Sequence, residues 1–77
     1  MAVINLNVDN ETISNGFRLE RMRMHRDRLL SASDWTQTPD NPIANKSEWA
    51  TWRQQLRDFP ASWTPADIVT FPKAPNE

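Results

Sequence analysis

The 77-residue chain has no cysteine and only one histidine. Without cysteine there is no disulfide to restrain the unfolded chain and no thiolate to hold a metal, which suits a reducing compartment. The histidine, His25, has Arg28 and Leu29 at its helical i+3 and i+4 positions, so no second ligand stands at metal spacing. The one acid near enough to orient it as a catalytic base is Asp27. An enzyme is therefore not expected, and the pattern implies no catalytic residue, no cofactor and no metal. No apolar run nears the roughly 20 residues of a membrane span. The opening MAVINLNVDN lacks a basic leader and an apolar signal core, so a soluble intracellular product is expected, with no membrane partner. A formal net charge of −1 excludes attraction to a polyanion by bulk charge.

What the chain has is tryptophan, at positions 35, 49, 52 and 63. A domain this small buries only about 60% of its unfolded surface, so its core must be dense. One indole removes roughly 150–250 Å² from water, at most about 4–6 kcal/mol before entropy is counted. Trp35, Trp49 and Trp52, with Leu29, Leu30 and Leu56, are the expected core.

Three segments are legible. Residues 1–13 form an arm in which Ile4, Leu6 and Val8 alternate with Asn5 and Asn7, the two-residue period of a half-buried strand. Residues 14–60 form a helical hairpin. Its first helix spans about Phe17 to Ser33, free of proline and glycine, with Ser14 or Asn15 as N-cap and Leu19, Met22, Leu29 and Leu30 on one face. Pro39 and Pro42 make residues 34–45 a loop. Asn45, three places before Glu48, resembles a capping box that opens a second helix running to Arg57 or Asp58 and ended by Pro60. Residues 61–77 form an extended, proline-rich tail whose extreme end is expected to be mobile. Thr64, Pro65 and Asp67 in it suggest one helical turn, and IVTFP is a β-branched stretch to lie on the helices or to pair with the N-terminal strand. The fold class is thus mainly α: a small helix-loop-helix domain with a tryptophan-rich core, a short N-terminal strand and an extended C-terminal tail.

Arg26 and Arg53 fall on the apolar faces of their helices, where an unpaired charge costs several kcal/mol. Asp34, Asp40 and Asp58 are the acids within reach, with Asp34 and Asp58 the chosen partners, and Trp35 can fold back over the guanidiniums. Trp49, Trp52 and Leu56 share one face of the second helix; with Trp49 inward, an outward Trp52 is the alternative that allows a homo-oligomer. Ile4, Leu6, Val8, Trp63 and Phe71 are candidate partner-binding residues, since a strand and an extended tail are natural arms for β-augmentation. A competing reading takes Arg18, Arg21, Arg23, Arg26 and Arg28 as a nucleic-acid footprint. These arginines scatter around the helix, Glu20 and Asp27 interrupt them, and no aromatic residue interleaves for base stacking, so nucleic acid is disfavoured.

The segment RMHRDRLLSASDWTQTPDNP, followed by SEWATWRQQLRDFP and the closing FPKAP, resembles the small domain of tailed-phage tail assembly chaperone proteins. The matching pieces are Arg26 and Asp27, Leu29 and Leu30, Ser33 to Gln37, Pro39 and Asp40, Trp49, Trp52 to Gln54, Leu56 to Asp58, and Pro60, roughly residues 20–60. The chain departs from the pattern at Trp52, where tyrosine is expected, and in the added WTPADIV. The resemblance implies a non-enzymatic protein that binds a tail, baseplate or tail-fibre polypeptide, as an assembly chaperone or as a small component kept in the virion. It implies the host cytoplasm during assembly, and the virion tail for a retained component.

Overall fold

The computed structural model describes residues 3–7 and 13–76 of the chain; Val8, named above with the N-terminal strand, lies outside them. Ser14 caps the first helix, α1 (Asn15–Ala32): its Oγ accepts the Phe17 N–H at 3.2 Å and its carbonyl accepts the Arg18 N–H at 3.0 Å. The helix stops at Ser33, whose N–H is shared between the Leu29 and Leu30 carbonyls at 3.2 Å each. The Ser33 hydroxyl donates back to the same two oxygens. A side chain that satisfies the last carbonyls from within leaves nothing for another helical turn to bond.

The following loop holds an unexpected single turn of 3-10 helix, Asp34–Gln37. Thr36, fully buried, drives it by donating its hydroxyl to the Ser33 carbonyl at 2.6 Å. The second helix, α2 (Lys46–Ser62), begins without the expected capping box, because Asn45 makes no side-chain cap bond. It also runs past Pro60. That proline removes one N–H donor in the final turn, and the Trp63 N–H then bonds the Phe59 carbonyl at 3.1 Å, so the helix ends two residues later than proline alone would dictate.

The two ends of the chain meet. Val3–Asn5 (β1) pairs antiparallel with Ile68–Thr70 (β2), in the register Val3 to Thr70, Ile4 to Val69 and Asn5 to Ile68. Of the two readings of IVTFP, both hold, since β2 pairs with the N-terminal strand and also packs on the helices. The helical turn expected at Thr64–Asp67 is absent. Asp67 instead accepts the Leu6 N–H at its carbonyl and the Arg18 Nε–H at its carboxylate, at 2.6 and 2.8 Å. These bonds hold the backbone at the mouth of the strand rather than letting it coil.

A two-stranded ribbon is marginal in water. This one is held by its inner face, where Leu6, Val69 and Phe71 join Met22, Trp49, Trp52 and Leu56 in one buried cluster. Two faces expected from helical periodicity supply the rest: Leu19, Leu29 and Leu30 of α1 are half-buried against it, and the α2 stripe is fully inside. The chain is a small, mainly α domain, elongated at 46 × 22 × 17 Å. Its radius of gyration, 14.0 Å, exceeds the roughly 11.5 Å of a compact chain of this length, so much of each helix faces water.

Candidate functional site

Tryptophans placed on two elements can either interlock or leave a seam between them, and here they do both. Trp49 and Trp52 stand one turn apart on α2 and meet edge to face, with ring centroids 5.4 Å apart. Both are buried, at 7% and 6% exposure. Trp52 thus takes the core position expected of it, and the alternative of an outward ring falls away: its indole N–H donates to the Pro72 carbonyl at 2.9 Å, which turns the ring toward the tail. Trp35, placed in the core by sequence, is 51% exposed. Its ring leans on Trp49 at 6.0 Å rather than over a guanidinium, because the 3-10 turn carries it to the rim.

Between these rings and the tail lies a cleft of about 240 Å³, walled by Leu29, Trp35, Trp49, Trp52, Pro72 and Ala74. Mostly apolar walls with a few directional polar groups are what a binding pocket requires. Of the three indoles, Trp52 commits its N–H to the chain's own Pro72, and among the described residues those of Trp35 and Trp49 have no such partner. The chain's own proline-bearing segment therefore already forms one wall, seated on an indole.

The corner that presents Trp35 is held by Arg53. Its Nη1 donates to the Leu30 carbonyl at 2.6 Å and to Ser33 Oγ at 2.7 Å, and its Nη2 donates to Asp34 Oδ1 at 2.7 Å. The fork spans the end of α1 and the start of the 3-10 turn, so one side chain on α2 sets the angle between them. Asn41 Nδ2 and Thr38 Oγ1 both donate to the Trp35 carbonyl, closing the loop behind the ring. Gln37 Nε2 reaches Thr36 Oγ1 and the Lys46 carbonyl, tying the turn to α2.

The other charged residues fall elsewhere. Arg26 meets Asp27, its neighbour in sequence, at 3.0 Å, and not Asp34 or Asp58. Its side chain is 19% exposed, against 64% for Asp27. Asp58 accepts from Gln54 Nε2 at 3.0 Å along α2 and, among the described residues, pairs with neither arginine. Arg18 is bound to Asp67 and Arg21 Nη1 donates to the Leu6 carbonyl at 2.6 Å, so two arginines of the supposed nucleic-acid footprint instead clamp the sheet. His25 has its pKa lowered by partial burial and then by the Arg28 charge.

Two candidate partner-binding residues, Leu6 and Phe71, are closed off, at 2% and 1% exposure. They point into the core because the strands they flank have only one packed face. Ile4 and Trp63 are half-buried, with Trp63 stacked on Phe59 at 6.4 Å. Among the described residues, the exposed large apolar side chains are Val3, Phe17, Met24, Trp35 and Ile68. Sequence reasoning passed over Phe17 and Met24. Their spacing of seven residues, on the side of α1 opposite Met22, was the available signal.

Among the described residues no helix is long and apolar enough to cross a membrane, and no three His, Cys, Asp or Glu residues gather as metal ligands. Residues 19–76 match the family described as phage tail assembly chaperone protein. The match extends through the tail that packs on Trp52, beyond the 20–60 span of the motif series. No curated protein and no solved structure matches the chain.

Proposed function

The chain belongs to the phage tail assembly chaperone protein family, and we propose that it binds an extended, proline-bearing segment of a tail, baseplate or tail-fibre polypeptide in the indole cleft, without catalysis. One observation carries the reading: the cleft already holds a segment of this kind in cis, with Pro72 bonded to Trp52, while the neighbouring Trp35 stands half open at its rim. An extended proline segment has little conformational freedom left to lose, and aromatic grooves bind it by ring contact plus an indole N–H to a peptide carbonyl. Trp35 supplies the ring and an indole N–H that has no partner among the described residues. The short contact length fits a transient complex, as an assembly factor working in the host cytoplasm requires; retention in the virion would need a second contact.

The test uses peptides tiled along the tail, baseplate and fibre polypeptides encoded by the same phage, titrated into the full chain while the indole N–H resonances are followed. Proline-bearing peptides should shift Trp35 first and bind at least tenfold more weakly to Trp35→Ala. No shift at any indole, or equal binding to Trp35→Ala, would remove the cleft as the site.

A further inference from the structure

The outer face of α1 is a second surface with its own pattern. Phe17, Met24 and Ser31 recur every seven residues and lie in one line, and the two large ones are 55% and 46% exposed. At about 100° per residue, Glu20 and Asp27 fall some 40–60° to one side of that line, and Arg21 and Arg28 as far to the other. The face thus has an apolar midline, one acidic edge and one basic edge.

We infer that a second copy of this chain docks here, with α1 beside α1 in parallel. Symmetry decides the orientation. A two-fold axis running along the helices sets the acidic edge of one copy against the basic edge of the other, on both sides of the midline. A two-fold axis across the helices would set Arg21 against Arg28 and Glu20 against Asp27, like against like on both sides. In the parallel arrangement Phe17 meets Phe17 and Met24 meets Met24, and the small Ser31 lets the helices close at that end. The edges are partly prepared: Arg21 is fixed by its bond to the Leu6 carbonyl and lies 5.7 Å from the Phe17 ring centroid. Asp27 holds Arg26 through Oδ1 alone, which leaves its second oxygen for a partner. The inference does not depend on the cleft, which lies at the other side of α1.

The absence of cysteine makes the test clean. Phe17→Cys, Met24→Cys and Ser31→Cys are each oxidised as the full chain after circular dichroism has verified the fold. Parallel pairing crosslinks all three; crosslinking at Met24→Cys alone would mean an antiparallel pair and overturn the proposal. Sedimentation equilibrium up to millimolar concentration should show a dimer that weakens with salt, since exposed edges are screened. Glu20→Arg/Asp27→Arg and Arg28→Asp should each weaken it at least tenfold, and mixing these two variants should restore a hetero-pair. A monomer at every concentration, or a dimer indifferent to both charge reversals, would also overturn it.

Discussion

Arg53 and Asp34 meet at 2.7 Å across nineteen positions of sequence, and the same guanidinium caps α1 through the Leu30 carbonyl. The pair sits at the one corner where both helices and the 3-10 turn converge. Its charged partner is largely solvated, with the Asp34 side chain 68% exposed against 13% for Arg53. Most of the stabilisation therefore comes from the two inner bonds, and the carboxylate adds a screened contribution.

Arg53→Met keeps the stem and removes every donor, so it is expected to lower unfolding stability by about 2 kcal/mol in urea titration. Asp58→Ala, which breaks only an exposed bond to Gln54, should change stability by less than about 0.5 kcal/mol. Equal losses in the two variants would mean that the corner does not depend on Arg53.

Trp49→Ala and Trp52→Ala should be similarly damaging, each by about 3–5 kcal/mol, because both rings are buried and pack on each other. Trp52→Phe separates ring from donor, and losing the bond to Pro72 should cost about 1 kcal/mol. Trp35→Ala, at the rim, should unfold at nearly the wild-type urea midpoint.

The C-terminal tail is part of the fold. Phe71→Ala should destabilise by about 3 kcal/mol, since Phe71 is 1% exposed and its ring lies 5.1 Å from Phe59. Removing residues 68–77 takes away β2, Val69 and Phe71 together, and the remaining chain is expected to lose its cooperative thermal transition.

His25 gives a small pH dependence whose sign is set by its lowered pKa. The unfolded chain takes up this proton at the ordinary value of 6.5, before the folded chain does. The contribution to stability is complete above that pH and is lost as pH falls below it. His25→Gln should flatten the change of melting temperature between about pH 7 and pH 5.5, ahead of carboxylate titration.

Much of the scaffold was written locally. The α1 face of Leu19, Met22, Leu29 and Leu30 and the α2 stripe of Trp49, Trp52 and Leu56 follow from a 3.6-residue period, which any amphipathic helix displays in its own sequence. Ser14 as N-cap is a contact three residues long. The residues of the family motif, above all Ser33, Asp34, Thr36, Gln37 and Arg53, were visible as a series but not as one hydrogen-bonded corner. Their partners lie up to 23 positions away.

The sequence alone determined two helices, a strand at the start, an indole core and the absence of any paired histidine, because each is a matter of composition or of near-neighbour spacing. Only the tertiary structure decided that Trp35 stands at a rim, that Asp34 and not Asp58 takes Arg53, and that Leu6 and Phe71 close the core instead of offering it to a partner. Those outcomes depend on which distant groups compete for the same donors and the same buried space, and that competition exists only once the chain has folded.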